Sequence, residues 1–299
     1  MATTNATAPV GAPNAAPKAA PKAKKQSQGF TGIKSGLAVI ACCVVIAVIV
    51  YLFVFGAISH FKGGDAAGVP FHVLLPGDQA LEPADLIGTV YKGGFVVPVI
   101  WTLLFTVIAL AIERFFAIRT AYGKMSLAKF VAQIKAALAK NDLKTAHDLC
   151  DKQRGSVANV VNAVLKKYAE MEGNTELDKD QKVLALQKEL EESTALEMPM
   201  LQENLPIIGT IVTLGTLAGL FGTVLGMIRS FSAMGTEGGA DSSALSTGIS
   251  EALVNTASGI LTGALAVIAY NYYTNKIDRL TFALDEVGFS IVQTFNATH

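Results

Sequence analysis

Leu205–Ile228 reads LPIIGTIVTLGTLAGLFGTVLGMI, twenty-four residues without a charge. At 1.5 Å per residue this is about 36 Å of helix, enough to cross a bilayer. Its small and hydroxylated residues recur at helical spacing. Gly209, Thr216, Thr223 and Ser230 fall seven apart and share one face. Gly215, Gly219, Gly222 and Gly226 form an adjacent face with two small-xxx-small pairs. Glycine there admits a second helix backbone at short range, and threonine hydroxyls bond to their own carbonyls or to a neighbour. Such a helix is made to be surrounded by other helices.

The whole chain supports a membrane setting. Of its 299 residues 51% are apolar and only 16% charged, with a positive mean hydropathy. Twenty-four basic residues balance twenty-four acidic ones, so nothing points to nucleic acid. Cys42 and Cys43 are adjacent in an apolar run and Cys150 lies in a charged segment, which is no disulfide framework. The four histidines (His60, His72, His147, His299) are scattered outside the apolar spans. Neither a metal site nor a cofactor is expected. No nucleophile–base pair or phosphate loop argues for an enzyme.

Outward from the central stretch, four spans emerge. Residues 1–30 are Ala, Pro, Lys and Asn with little else, a tail expected to be disordered. Five lysines (Lys18, Lys22, Lys24, Lys25, Lys34) and no acids precede the first apolar run, 36–58. A secretory signal is the competing reading. The run is too long and its leader too extended for one, so a retained span with a cytoplasmic N-terminus is expected. Residues 59–94 read as a Gly/Pro-rich periplasmic loop, and 95–112 as a second span ending at Glu113–Arg114. Between Glu113 and Glu203 lie fourteen basic and fourteen acidic residues in helical patterns, such as Phe130/Ile134/Leu138 and Val157/Val160/Val161/Val164. Asn141–Asp142, Arg154–Gly155–Ser156 and Gly173–Asn174 punctuate this segment. It is expected to be a cytoplasmic helical domain, 113–203, whose charges are chiefly a solvated surface. The central span is placed at 205–231, a periplasmic turn at 232–247, a last span at 248–273 and a cytoplasmic tail at 274–299. The expected fold is therefore all-α: an integral membrane bundle of four transmembrane helices with a helical cytoplasmic domain and both termini inside.

The last span reads GISEALVNTASGILTGALAVIAY. Glu251, Asn255, Ser258 and Thr262 fall within about 60° of one another, a polar seam on one side of the helix. Ala252, Thr256, Gly259 and Gly263 lie beside it, and Leu253, Ile260, Leu261 and Leu265 opposite. Glu251 is the one carboxylate within any expected span. An intramembrane acid marks an ion pathway or a pairing partner; near the helix start it can also snorkel or serve as a cap. Arg229 at the end of the preceding span is expected to snorkel.

At these residues the chain resembles a known family. GLFGTVLGMIRSF (219–231) followed by GISEALVNTASGI (248–260) is similar to the pore helices of the ExbB/TolQ/MotA proton-channel family, most of all the ExbB branch. Glu113–Arg114 fits the same pattern, and the resemblance extends over roughly Phe95 to Arg279. It implies a homo-oligomer, typically a pentamer, in the bacterial inner membrane, closed around a single-span ExbD-type subunit and driving a TonB-type protein. Carried over by motif, Thr223 and Thr256 are the pore-lining threonines and Glu251 the acid of the last helix. The span 36–58 is an addition to the three-span core of the better-known ExbB proteins; four spans with an inside N-terminus is the topology of the flagellar stator.

Apart from Glu251, the last two spans offer hydroxyls and one amide but no proton carrier. The carrier is then expected on another chain, which in this family is an aspartate of the ExbD-type helix. Thr223 and Thr256, with Asn255, Ser258, Thr216 and Thr262 and with Glu251 tuning the outer entrance, are the expected proton pathway, and Gly215, Gly219, Gly222, Gly226, Gly259 and Gly263 the packing surface. Arg114, Arg119, Lys276 and Arg279 are expected to grip anionic lipid headgroups between subunits, the alternative for Glu113–Arg114 being an ordinary boundary pair. A flagellar or gliding stator and a non-conducting scaffold are the competing functions.

Overall fold

A computed structural model describes residues 36–62, 83–236 and 242–298. Among these the regular structure is helical, apart from one bridge between Phe61 and Pro83. The expected N-terminal tail, most of the 59–94 loop and the centre of the 232–247 turn lie outside the described residues.

The first span is α1 (Gly36–Ile49), which widens into a π-helical segment, Val50–Phe55. Cys43, Ala47, Tyr51 and Phe55, each four apart, are its buried stripe. Leu37, Val45, Ile49 and Phe53 are exposed, as suits a helix with one protein-facing side in lipid. Short α2 (Leu86–Lys92) falls where sequence reading placed only loop. Asp85 starts it, accepting from the Gly88 amide at 2.9 Å and pairing with His60 at 2.7 Å. Those two contacts, the amide first, hold the Asp85 carboxyl below the usual carboxylate range.

Helix α3 (Val96–Tyr122) runs past the expected span end and delivers the chain to a set of amphipathic helices. There α4 (Leu127–Leu138), α5 (Leu143–Gln153), α6 (Ser156–Glu172) and α7 (Lys179–Gln202) follow one another. Phe130, Ile134, Leu138 and the four valines Val157, Val160, Val161 and Val164 are all buried in one core. Asp142 caps α5 through the Thr145 hydroxyl and amide, which hold its carboxyl low. Cys150 is buried in this core, which pushes its thiol up to about 12 and leaves it inert. Two glycines at positive φ, Gly123 (+77°) and Gly155 (+89°), let the α3–α4 and α5–α6 connections cross backbone to backbone. The buried Gln153 amide locks that crossing, donating to the Tyr122 and Met125 carbonyls and accepting from the Met125 amide.

Helix α8 (Leu205–Thr236) and helix α9 (Ser242–Thr298) complete the fold. The expected C-terminal tail is helix as far as it is described, to Thr298. Tyr273, Ile277, Leu280, Leu284, Val287, Ile291 and Phe295 continue an apolar stripe beyond the last span, and they enter the same core as α3–α7. Phe295 meets Tyr168 edge-on at 4.9 Å between ring centres. Each of the four expected spans overlaps a helix long and apolar enough to cross a membrane, and the whole is a helical membrane bundle.

Helices α8 and α9 meet through their glycines. A methyl group added at Gly259 would stand 2.7 Å from the Gly219 Cα and 2.9 Å from its nitrogen, and one at Gly219 would stand 3.0 Å from the Asn255 carbonyl oxygen. Those atoms are backbone and cannot yield without parting the helices. Gly259→Ala is therefore expected to destabilise the detergent-purified chain by about 1–3 kcal/mol, the usual cost of overpacking. Gly173→Ala, whose added methyl meets only ordinary contacts near 3.9 Å, should be close to neutral in the same melt. The two aspartate caps have their own pH signature. Because both carboxyls titrate below their ordinary value, the caps stabilise α2 and α5 at neutral pH and are lost as pH falls through the lowered value. Protection of the first-turn amides of α2 and α5, measured against the intrinsic exchange rate at each pH, should fall in that acid window and hold above it.

Candidate functional site

The α8–α9 contact has two sides, and the sequence-derived site residues divide between them. On one side Thr223 and Thr256 face each other across the glycine seam and their hydroxyls are hydrogen-bonded together. The Thr223 hydroxyl also lies 3.1 Å from the Gly219 carbonyl and 3.4 Å from that of Ala252. The Thr256 hydroxyl lies 3.3 and 3.4 Å from Ala252 and Gly219 respectively. Two hydroxyl protons thus share two carbonyls and each other. One hydroxyl donates to its partner while the other donates to a carbonyl, and reversing the pair costs no heavy-atom movement. Both threonines are half-buried. Thr223 opens onto a groove of about 640 Å³ lined by Val224, Met227, Ile228, Phe231 and Ser232. Val224, Ile228 and Phe231 are more than half exposed. No titratable side chain lines that groove.

Thr216 lies two turns from Thr223 and is exposed, its hydroxyl donating to the Val212 carbonyl at 3.3 Å. It borders Gly263, where an added methyl would stand 2.9 Å from its hydroxyl oxygen. The expected packing glycines Gly215, Gly219, Gly222 and Gly226 face α9 in turn, against Gly259 and Gly263, the Thr256 and Asn255 backbone, and Ala252.

The remaining seam residues are not among those that line the groove. Asn255 lies over Gly222, which has no side chain to obstruct it, and donates from Nδ2 to the Gly93 carbonyl at 3.0 Å. It thereby ties α9 to the α2–α3 turn, while its Oδ1 is buried without a partner among the described residues. Thr262 is wholly buried and donates to the Ser258 carbonyl. Glu251 is 5% exposed and 3.9 Å from Arg229, at the outer limit of an ion pair. Arg229, its side chain half exposed, also lies over the Phe95 ring, 6.0 Å from its centre. Lys92 and Tyr51 complete the surroundings of Glu251. Tyr51 donates to the Tyr91 carbonyl at 2.9 Å and stacks on the Tyr91 ring. Glu251 and Asn255 are therefore held among α1, α2 and α3, on the far side of α9 from the threonine pair. Thr102 and Thr106 of α3 are further buried hydroxyls, each bonded four residues back. Their spacing of four within the second span was the available signal.

At the bundle end the expectation for Arg114 is overturned. Its side chain is fully buried and paired with Glu113, at 2.6 Å from Nε and 2.5 Å from Nη2. It also donates to the Met200 and Leu201 carbonyls at 3.1 and 3.4 Å. Helix α7 stops there because Asn204 takes a positive φ of 63° and Pro206 follows, leaving those carbonyls without helical partners. Asn204 in turn donates to Glu113 at 3.4 Å. Arg114 is thus the cap of α7 and has no face for a lipid; Arg119 and Arg279 are exposed and Lys276 half-buried. Arg114→Met is expected to destabilise the chain by about 3–5 kcal/mol because it strands a buried carboxylate. Glu113→Gln combined with Arg114→Met should cost less than the single change, and melting of both proteins in detergent checks the order.

The chain matches the MotA/TolQ/ExbB proton channel family over residues 156–286. It is 40% identical over 112 residues to an ExbB-like biopolymer transport protein of Synechocystis, covering 37% of this chain and 53% of the relative. It is 29% identical over 124 residues to the Tol-Pal system protein TolQ of Pseudomonas aeruginosa, covering 42% and 54%. To the biopolymer transport protein ExbB of Helicobacter pylori it is 40% identical over 81 residues, covering 27% and 56%. The chain spans about half the length of these curated relatives.

Proposed function

From a chain whose residues 156–286 are a domain of the MotA/TolQ/ExbB proton channel family, we infer a subunit that conducts protons across a bacterial inner membrane and couples their flow to mechanical work. The observation that carries this reading is the Thr223–Thr256 hydroxyl pair, whose Thr223 opens onto an apolar groove lined by no titratable group. A hydroxyl pair relays a proton by rotating its O–H bonds but does not store one, so a carrier must be brought to it. The groove suits an apolar helix bearing one carboxylic acid, the ExbD-type partner, at the centre of a homo-oligomeric ring that is typically pentameric. The threonine oxygens then solvate that acid in both protonation states and hold the water that reaches it. The exposed Leu217, Leu220, Val224 and Phe231 surround the pair with apolar surface that limits water to the path itself.

The positive-inside rule places the soluble bundle and both termini in the cytoplasm, with α2 and the Glu251 cluster on the periplasmic side. Glu251, paired with Arg229, then sets the electrostatic potential near the outer entrance and stands outside the relay. The similarity to ExbB proteins supports a TonB-type partner and outer-membrane nutrient import. The similarity to TolQ supports an envelope partner of the Tol-Pal kind, driven by the same α8–α9 machinery. Growth that depends on a siderophore or cobalamin, as against envelope integrity or motility, separates these outputs in a deletion strain.

Thr223→Val and Thr256→Val keep side-chain shape and remove the hydroxyl. Each is expected to lower proton flux through the reconstituted complex by about a hundredfold, the lower range for a positioned proton-transfer group. Assembly, followed by size-exclusion chromatography, should be unaffected. Wild-type flux in both variants would overturn the assignment.

A further inference from the structure

Where α3 leaves the membrane region and α9 enters the soluble bundle, the two helices enclose a pocket of about 240 Å³. Its walls include Phe115, Arg119 and Tyr122 of α3, the Gly123 turn, and Tyr272 and Lys276 of α9. Its frame is fixed by two tyrosines that stitch the helices together. Tyr122 donates to the Lys276 carbonyl at 3.0 Å, and Tyr273 to the Ala111 carbonyl at 2.6 Å. The Lys276 ammonium lies over two rings, 5.8 Å from the centre of Tyr122 and 5.6 Å from that of Tyr272. That arrangement holds a half-buried cation in place without neutralising it.

The charge in this pocket is of one sign. Arg119 and Lys276 line it, Arg279 is near enough to act on the Tyr122 hydroxyl, and no carboxylate is among the lining residues. None of the three cations has an ion-pair partner among the described residues, whereas Lys135, Lys167 and Lys188 each have a glutamate. Apolar surface continues from the pocket toward the spans. Ile268 stands one turn from Tyr272 on the same face of α9 and is 65% exposed. Ile112 stands two turns from Arg119 on α3 and is 55% exposed. A ligand that satisfies both halves carries a compact anion at one end and hydrocarbon at the other.

We propose that this pocket binds the phosphate of an anionic phospholipid within a single protomer, Arg119 and Lys276 contacting the phosphate and the acyl chains lying along Ile112 and Ile268. A planar guanidinium and an adjacent ammonium suit phosphate oxygens, and the aromatic rim lies at the level where tyrosines flank a bilayer. A soluble phosphate monoester offers the same anion without the chains. Binding requires no proton conduction, so the site stands or falls independently of the channel reading.

The test uses the full chain, purified in mild detergent and examined by native mass spectrometry after exchange against phosphatidylglycerol, phosphatidylcholine or glycerol phosphate. Wild-type protein is expected to retain phosphatidylglycerol in preference to phosphatidylcholine. Arg119→Gln combined with Lys276→Gln should lower that retention by about tenfold, as expected for losing two charge-assisted contacts. Arg119→Gln alone changes an exposed side chain and tests the same site should the double variant fail to fold; a loss of about threefold is expected, partly restored in Arg119→Lys. Lys140→Gln, an exposed charge elsewhere on the bundle, should retain lipid like wild type. Release of the lipid by excess glycerol phosphate supports a site that reads phosphate from either source. Retention against that competitor supports the membrane lipid as the occupant. Equal retention of phosphatidylglycerol by wild type and the Arg119 variants, or of phosphatidylcholine and phosphatidylglycerol by wild type, overturns the proposal.

Discussion

Backbone contact between α8 and α9 is the constraint on which the rest of the molecule depends. Gly215, Gly219 and Gly226 on one helix and Gly259 and Gly263 on the other leave backbone against backbone, or backbone against a small side chain, at the closest approach. In a bilayer no hydrophobic force drives helices together, so this close fit and the hydroxyl bonds across it must supply the association. Two consequences follow directly. The Thr223 and Thr256 hydroxyls come within bonding reach of each other and of carbonyls on both helices. Asn255, lodged over Gly222, can extend past α8 to the α2–α3 turn. A single small-residue seam therefore sets both the hydroxyl pair on the groove side and the polar anchor behind it.

The two sides of α9 differ in how their polar groups are satisfied. The groove side keeps hydroxyls, which exchange donors and acceptors freely and carry no charge. The other side buries Glu251 and Asn255 among Arg229, Lys92, Tyr51 and Gly93. Part of that enclosure comes from the added first span, whose π-helical turn brings Tyr51 to the Tyr91 carbonyl. The first span thus contributes to the surroundings of Glu251 while leaving the threonine face uncovered.

Much of this was legible in the sequence, for identifiable reasons. Uncharged runs of membrane length announce spans without tertiary information, and the seven-residue recurrence of Thr216 and Thr223 identified the hydroxylated face. The turn residues Asn141, Gly155 and Gly173 fall at helix ends as read. What could not be read depended on partners distant in the chain. The wheel grouped Asn255 with Ser258 and Thr262 but could not say that Asn255 reaches Gly93 and not the groove. Arg114 looked like a boundary charge because the carbonyls it caps belong to residues 200 and 201. The C-terminal segment looked like a tail because its charged residues, Asp278, Arg279, Asp285 and Glu286, interrupt hydropathy without interrupting the apolar stripe at Ile277, Leu280, Leu284, Val287 and Ile291.

Helix α9 runs without a break from Ser242 to Thr298. From Thr256 to Thr298 it extends about 63 Å at the standard rise. As a stiff rod it acts as a lever arm: a tilt of about 3° at the level of Thr256 displaces its distal tip by about 3 Å. The helices packed around Leu284 and Phe295 would be dragged along with that swing.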